Sequence, residues 1–331
     1  MPEASLFIIP VLLLVLAAEF VNGWTDSPNA IATVVSTRVL SPSQAVIMAG
    51  VLNLVGAIVT GTAVAVTIGK GIVSPEIITP SVIAAAMITI LIWSTVAWYY
   101  GIPTSESHEL IAGLTGGGLA VGGPSVLLWE GWQKVLIGLG ISTVLGFSLG
   151  MAFMTGLYWI LRRTRLASIR GVFSKLQILS AAFMAFSHGS NDGQKFMGVF
   201  ALALVLGGFM TEFTVPLWVM VLCGGIMALG TAFGGWRIIR TMGFKITKLE
   251  PVNGFAAETA GGCAILLASF FGIPLSTTHC INTSIMGVGA TRRLSAVRWG
   301  TARGIVMTWI LTFPACGVLG WLIASILKFV F

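Results

Sequence analysis

Apolar runs long enough to form membrane-spanning helices follow one another along the whole chain. A transmembrane helix needs about 20 consecutive, mostly apolar residues, and charged or turn-forming residues separate the runs here. The pattern predicts six helical segments in each half of the chain. They lie near 4–22, 27–40, 44–69, 80–101, 104–121 and 132–161, and near 172–188, 192–210, 214–236, 252–272, 275–290 and 301–330.

Two of these segments, 104–121 and 275–290, are too short and too rich in glycine to be ordinary spans, and both are opened by a cluster of hydroxyl residues and a histidine. Non-helical backbone at membrane depth is tolerated where protein buries it or where it lines a cavity. We therefore predict that both segments are re-entrant or broken helices.

Two motifs recur at nearly equal spacing, which indicates a duplicated unit. The run 101–108 matches 272–279 (279 − 108 = 171), and the run 22–26 matches 188–192 (192 − 26 = 166). If both short segments enter and leave on one side, each unit crosses the membrane an odd number of times, and the second copy is inverted. Inverted repeats are typical of secondary transporters, which bind substrate near the bilayer midplane at the interface between the repeats.

The predicted fold is an all-α integral membrane protein with about ten transmembrane helices, two re-entrant or broken helices and an inverted structural repeat. Residues 1–161 are the first repeat and residues 162–331 the second, within a single membrane domain. Composition agrees, because the 331 residues are 56% hydrophobic and 9% charged with a mean hydropathy of +0.98, whereas soluble domains are about 25% charged.

The net charge of +7 does not indicate nucleic-acid binding, because many basic residues lie in short loops such as 162–175. That bias is typical of cytoplasmic loops and predicts a multi-pass protein of the plasma (inner) membrane, with the lipid bilayer as its partner. The loop 237–250 disagrees, since its four basic residues would face outward in the inverted arrangement.

Ionisable residues in the apolar segments are the first candidates for a functional site. Asp192 and Lys195 lie beside His188 in a stretch that otherwise reads as buried helix, and a charged group at the bilayer centre costs about 2.5–3.5 kcal/mol. Helix starts are predicted at Thr25–Pro28 and after Pro103 and Pro274, since Ser, Thr and Asp cap helices and Pro favours their first position. Several helix N-termini at one depth would bind an anion.

Neutral donors surround these predicted helix starts, and weak, numerous donors suit a protein that must release its cargo. The candidate anion-binding residues are Asn29, Thr104, Ser105, Asn191, Gln194, Ser276, Thr277 and Thr278, with Ser107 nearby. Two aspartates, Asp26 and Asp192, would repel an anion unless a cation or proton lay between them. They are the candidates for the coupling-ion site, including Na⁺ if transport is sodium-coupled.

Six further residues are candidates for the site or for structural roles. His108 and His279 could contact substrate or bond between helices; His188 accompanies Asp192. Glu106 and Lys195 could contact substrate, snorkel or pair with a neighbour. Asn53 is equally consistent with a site residue and with an interhelical bond.

The sequence resembles the inorganic phosphate transporter (Pit) family, in its bacterial form. The family's Gly-x-x-Asp-x-x-Asn signature is complete at Gly23–Asn29, and at Gly189–Lys195 it keeps Gly and Asp but has Lys195 in place of the last Asn. Pro-x-Ser-x-x-His elements occur at Pro103–His108 and Pro274–His279.

The resemblance implies uptake of inorganic phosphate coupled to H⁺ or Na⁺, with Asp26, Asp192 and Asn29 binding cation and substrate and the Ser/Thr tips contacting phosphate. Asn53 stands where sodium-coupled eukaryotic members have a glutamate, which leaves the coupling ion open. No other cofactor is expected. Metal-phosphate as a substrate and a homodimer are also left open.

Three functions follow in order of preference. The first is a phosphate symporter that works by alternating access and is not an enzyme. The second is a sulfate permease of the same fold. The third is a membrane-embedded phosphatase or phosphotransferase with His108 or His279 as nucleophile and Glu106 as base, which the duplication disfavours because one catalytic centre does not need equivalent groups in both halves.

Overall fold

The computed structural model describes residues 2–74 and 77–328, without the side chains of residues 2–7 and 70. Within this part the regular secondary structure is helical, apart from one isolated bridge between Val73 and Leu127. The helices are α1 (Pro2–Asp26), α2 (Pro28–Ser36), α3 (Pro42–Val59), α4 (Ala63–Gly71), α5 (Pro80–Tyr100), α6 (Glu106–Gly122), α7 (Trp129–Leu161), α8 (Leu166–Leu206), α9 (Leu217–Ala232), α10 (Trp236–Arg240), α11 (Pro251–Phe270), α12 (Thr277–Arg292) and α13 (Trp299–Leu327).

Six stretches of the described chain are long and apolar enough to cross a membrane, and they include α1 and α2 taken together as one span. A seventh arises if α9 is joined to α10 and the π-helical turn Thr241–Lys245, across a bend of 62°. The all-helical class and the membrane-spanning helices are confirmed, while the number of ten spans stays a prediction. The segment 237–250, expected to be a loop, is partly helical, and Arg237 lies over the rings of Trp98 and Tyr99.

The predicted segment 44–69 is wrong, because the structure divides it into α3 and α4. Gly61 has φ +85°, which glycine adopts without steric cost. The Thr60 hydroxyl donates to Gly56 O (2.7 Å), and Gln194 Oε1 accepts the Val64 N–H (2.9 Å) in the first turn of α4. The break is thus stabilised partly by a residue 130 positions away in the sequence.

The predicted division between 172–188 and 192–210 is also wrong, because α8 runs unbroken through both segments. The glycines near the predicted division allow close packing. A Cβ at Gly189 would lie 2.1 Å from Asn53 O, so the backbones of α8 and α3 meet there. Small residues allow such close approach of helices in membranes.

The two short segments form α6 and α12, close to their predicted bounds, and α7 ends and α8 begins on either side of the predicted boundary between the halves. Packing joins the halves reciprocally. Helix α6 packs on α13 and α12 on α7, and likewise α1 on α9 and α8 on α3. Within the halves, α5 packs on α6 and α11 on α12. Apolar side chains form two core clusters, and buried polar residues of α1, α2, α6, α8 and α12 form the candidate site.

Candidate functional site

The short helices α6 and α12 both begin in the protein interior. Their N-cap residues are Ser105 and Ser276, both buried and both with extended backbone, as predicted from the Pro-Ser motifs. The Ser276 hydroxyl accepts the His279 N–H (3.2 Å), whereas the Ser105 hydroxyl has no partner. The first N–H groups of a helix have no acceptor within it, and they carry the positive end of the helix dipole.

Lys195 joins the two helix starts. Its Nζ lies 2.5 Å from Ser107 Oγ in α6 and 3.1 Å from Leu275 O, just before α12. Ser107 Oγ also donates to Leu275 O at 3.3 Å. The same ammonium forms a buried ion pair with Asp192, one turn earlier in α8. The structure therefore shows Lys195 paired with a neighbour, at a position between both helix starts.

The first turn of α12 contacts both aspartates. Thr277 Oγ1 donates to Asp192 Oδ2 (2.7 Å), and Thr278 Oγ1 donates to Asp26, 3.2 Å from Oδ1. Asn29 Nδ2 donates to Thr278 Oγ1 (2.9 Å). All five side chains are buried. One aspartate from each half of the chain is thus held by adjacent threonines.

Asp26, His188 and Asp192 converge closely enough to hold a cation, since one ligand atom from each lies within 4.8 Å of the others. His188 Nε2 is 3.1 Å from Asp192 Oδ2, and its Nδ1 is 3.2 Å from Asn53 Oδ1. If the imidazole of His188 is neutral, the two carboxylates carry two negative charges and the Lys195 ammonium balances one of them. One negative charge is left unbalanced. Buried charge is costly unless it is compensated, so this donor set fits a monovalent cation or a proton.

Asn191 and Gln194 lie on α8 but bond elsewhere. Asn191 Nδ2 donates to Ser269 Oγ (3.0 Å) and Ile273 O (3.2 Å). Gln194 bonds Val64 N and, through its amide nitrogen, Ser190 O (2.7 Å). Neither amide contacts the aspartate–threonine cluster, so a role in binding phosphate would require these bonds to be exchanged.

The histidines of the two Pro-Ser motifs meet in an aromatic stack. The rings of His108 and His279 are 4.4 Å apart at 87°, and the His279 ring stacks on Trp309 at 3.7 Å. Trp309 is buried and donates to Pro103 O (3.0 Å). The histidines therefore pack α6, α12 and α13 together, and neither ring nitrogen of His279 has a hydrogen-bond partner.

The predicted helix start at Thr25–Pro28 is only partly correct. Helix α2 begins at Pro28, but Ser27 has αR geometry and its side chain does not cap α2. The Ser27 carbonyl accepts the Ala30 N–H (3.1 Å). Because Pro28 lacks an N–H, the hydrogen-bond ladder is interrupted without opening the free N-terminus that we expected.

Comparison with known proteins decides the family. A model of the phosphate transporter family matches residues 22–320. The chain belongs to the phosphate transporter family. The resemblance noted in the sequence is confirmed, as is the prediction of a multi-pass integral protein of the plasma membrane.

Two relatives illustrate the similarity, both bearing the name "probable low-affinity inorganic phosphate transporter". The protein of Rhizobium meliloti is 45% identical over 313 residues, covering 94% of each chain. That of Bacillus subtilis is 41% identical over 331 residues, covering 98% of this chain and 99% of the relative. A solved structure, "The sodium-dependent phosphate transporter", matches with a TM-score of 0.87 at 24% identity, over 98% of this chain and 100% of that chain, which shows a shared fold.

The prediction that the chain is not an enzyme is confirmed, because these relatives of the phosphate transporter family are transporters. The phosphatase or phosphotransferase alternative is therefore dropped. In this family member His108 and His279 pack against aromatic rings, and Glu106 accepts hydrogen bonds from the hydroxyls of Thr25 and Ser94.

Sequence reasoning missed three buried acids of this family member. Glu109 accepts from Ser94 Oγ (2.5 Å), and Glu258 accepts from Thr33 (2.5 Å), Gln177 and Ser180. Glu19 accepts from Asn22 (2.9 Å). Glu19 and Glu258 are lone acids within apolar runs, and Glu109 follows Glu106 by three residues. An ionisable residue in an apolar segment was the signal that drew attention to Asp192. Thr104 is buried beside Glu109.

Proposed function

We propose that this protein takes up inorganic phosphate together with H⁺ or Na⁺, by alternating access between two inverted halves. The observation that carries the proposal is the first turn of α12, where Thr277 and Thr278 bond Asp192 and Asp26. The names of the relatives, which are inorganic phosphate transporters, support phosphate as the cargo.

Phosphate would bind between the N-termini of α6 and α12. The free N–H groups and dipoles there favour an anion, and the donors around them are Thr104, Ser105, Ser276, Thr277, Thr278 and Asn29. Lys195 supplies a positive charge that already contacts both helix starts. Asn191 and Gln194 would join only if they gave up their present bonds.

The coupling ion would bind Asp26, Asp192 and His188. A phosphate that accepts hydrogen bonds from Thr277 and Thr278 removes these donors from the two carboxylates. The carboxylates would then need a new partner in place of the hydroxyl donors, and a cation supplies one. Anion and cation would therefore bind together, and their charges would partly cancel within the protein.

The inverted repeat gives this site two routes of access. The reciprocal packing of α6 on α13 and of α12 on α7 supports the inverted repeat, since a two-fold relation between the halves produces such pairs. With about ten spans and two re-entrant helices, rocking one half against the other would expose the central site to each side in turn.

Uptake by the purified protein in liposomes tests the function. Labelled phosphate is measured under a proton gradient and a sodium gradient imposed separately, with protein-free liposomes as the control. Accumulation under either gradient supports symport and identifies the ion. Equal uptake with and without both gradients would contradict coupling.

A competition arm addresses the sulfate alternative. Phosphate near neutral pH carries a proton that a carboxylate can accept, whereas sulfate does not. We expect unlabelled phosphate to suppress labelled phosphate uptake and an equal concentration of sulfate to have little effect. Strong inhibition by sulfate, with labelled sulfate transported faster than phosphate, would favour the sulfate permease instead.

A further inference from the structure

Two glutamates in the first turn of α6 form a buried acid pair that the aspartate site does not include. Glu106 and Glu109 are 3% and 0% exposed. Ser94 of α5 contacts both, with its Oγ 2.5 Å from Glu109 Oε2 and 3.4 Å from Glu106 Oε1. Thr25 of α1 also donates to Glu106 Oε1. The pair therefore lies where three helices meet.

The hydrogen bonds of this pair are incomplete. Glu106 Oε2 and Glu109 Oε1 are buried and have no partner. Each hydroxyl carries a single proton, and the Ser94 proton is shared between the two carboxyls. Val21 O lies 3.0 Å from the Thr25 hydroxyl and competes with Glu106 for the Thr25 proton. A buried acceptor without a donor costs about 1–3 kcal/mol, and more when it is charged.

The charge of the pair is also uncompensated. Both ion pairs in the described part of the chain belong to Asp192, so neither glutamate has a cationic side chain within ion-pair distance there. The other titratable groups around the pair, from the helices near it, are Asp26 of α1, Asp192 and Lys195 of α8, Cys316 of α13, His279 of α12 and His108 of α6 itself. Ser94 is its contact in α5, and it is not ionisable at neutral pH.

The duplication does not account for these acids. At the offset of 171, the equivalents of Glu106 and Glu109 are Thr277 and Cys280, and the equivalent of Ser94 is Ile265. The hydroxyl-bearing helix starts occur in both halves, as a shared anion site requires. The acid pair occurs in the first half alone, so it serves a purpose that is not duplicated.

We infer that Glu106 and Glu109 together hold one exchangeable proton that crosses the membrane with phosphate. This inference rests on the proposed function, to which it adds a proton site separate from the ion site of Asp26, His188 and Asp192. The proton arrives from water on one side, forms a carboxyl O–H bond, and returns to water on the other side when that bond breaks. While bound, it adds a donor to a pair in which two buried oxygens have none, and it removes one of two buried negative charges.

A proton fits this pair better than a sodium ion does. Ser94 and Thr25 bond the carboxyl oxygens directly, so these hydroxyls occupy the positions that a cation would need. Metal ions require several oxygen ligands around one point. In the described residues the group that converges in this way is Asp26, His188 and Asp192.

The test compares Glu109→Gln with Glu130→Gln, an exposed glutamate in the first turn of α7. Two transport modes are measured in liposomes: accumulation of labelled phosphate driven by a pH gradient, and exchange of labelled for unlabelled phosphate without a gradient. We expect Glu109→Gln to lose proton-driven accumulation and keep exchange, and Glu130→Gln to keep both. Retained exchange shows that the variant is folded.

Two results would overturn the acid pair as the proton site, and a third would contradict the proposed function. Proton-driven accumulation that survives in both Glu106→Gln and Glu109→Gln overturns the acid pair as the proton site. The acid pair is also overturned as the proton site if the unaltered protein accumulates phosphate under a sodium gradient and moves no protons. Failure of the unaltered protein to move phosphate in either mode contradicts the proposed function instead.

An infrared measurement keeps the inference testable if Glu109→Gln does not fold. A protonated carboxyl has a C=O band that shifts in heavy water, and we expect the difference spectrum between the unaltered protein and Glu106→Gln to contain it at a pH at which transport occurs. The same difference for Glu130→Gln should lack the band. Absence of the band in the Glu106→Gln difference overturns the inference.

Discussion

Thr277 Oγ1 lies 2.7 Å from Asp192 Oδ2, which ties the first turn of α12 to the middle of α8. The adjacent Thr278 contacts Asp26. A single helical turn therefore holds an aspartate of each half. Any movement of α12 changes the surroundings of both carboxylates at once, which is the kind of linkage that coupled binding requires.

Replacement of Thr277 by valine should weaken phosphate transport. Valine has a similar volume but no hydroxyl, and a hydrogen bond to a charged group is worth about 1.5–3 kcal/mol, where about 1.4 kcal/mol is a factor of ten in binding. We expect the KM for phosphate in liposomes to rise by roughly tenfold or more. Thr155→Val, whose hydroxyl bonds Met151 O at the exposed surface, is the control. Equal KM values for both variants would remove Thr277 from the site.

The ion pair of Asp192 and Lys195 should behave as a unit in a double-mutant cycle. Removing one partner of a buried pair leaves an uncompensated charge and costs about 3–5 kcal/mol. Asp192→Asn and Lys195→Met should therefore each lower the unfolding temperature in detergent, and the double variant should recover most of the loss. We expect none of the three to accumulate phosphate. Additive losses of stability would contradict the pairing, and normal accumulation by Asp192→Asn would remove Asp192 from the coupling role.

Alanine at Gly189 should separate α8 from α3. The added Cβ would lie 2.1 Å from Asn53 O, and overpacking of this kind costs about 1–3 kcal/mol. Gly171, also in α8, has open space around its Cβ position, so Gly171→Ala should stabilise the helix by about 0.5–1 kcal/mol. Unfolding midpoints in detergent compare the two. A Gly189→Ala protein as stable as Gly171→Ala would contradict the close contact.

Gln194 should matter for stability rather than for substrate affinity. Gln194→Leu leaves the buried Val64 N–H without its acceptor, at a cost of about 1–3 kcal/mol. We expect a lower unfolding temperature and an unchanged KM for phosphate in the folded protein. Gln44→Leu, which removes an exposed cap of α3, is the matched control and should cost less. A raised KM with normal stability would instead favour the sequence prediction that Gln194 binds phosphate.

Local signals in the sequence predicted two of the three helix starts of the site. They predicted starts just after Pro103 and Pro274, where α6 and α12 follow the N-caps Ser105 and Ser276, because capping and proline preferences act within a few residues. The cost of burying Asp192 and Lys195 indicated an important stretch before any contact was known.

Features that depend on distant partners could not be predicted in the same way. The break after α3 is held by Gln194, and the glycines of α8 look like a helix break until the backbone of α3 is seen against them. The stack of His279 on Trp309 joins two helices whose packing no local pattern reveals. Glu109 was overlooked because its position three residues after Glu106 reveals neither the partners in other helices nor the missing hydrogen bonds.

The length of α8 has a further consequence. Its 41 residues give about 60 Å of helix at 1.5 Å per residue, roughly twice the 30 Å thickness of a hydrocarbon core. The first turns, around Ser168, are exposed, whereas residues from 187 to 204 are buried. An unbroken helix carries rotation from one end to the other. A spin label at Ser168 would therefore report, from outside the bilayer, how Asp192 turns during each transport cycle.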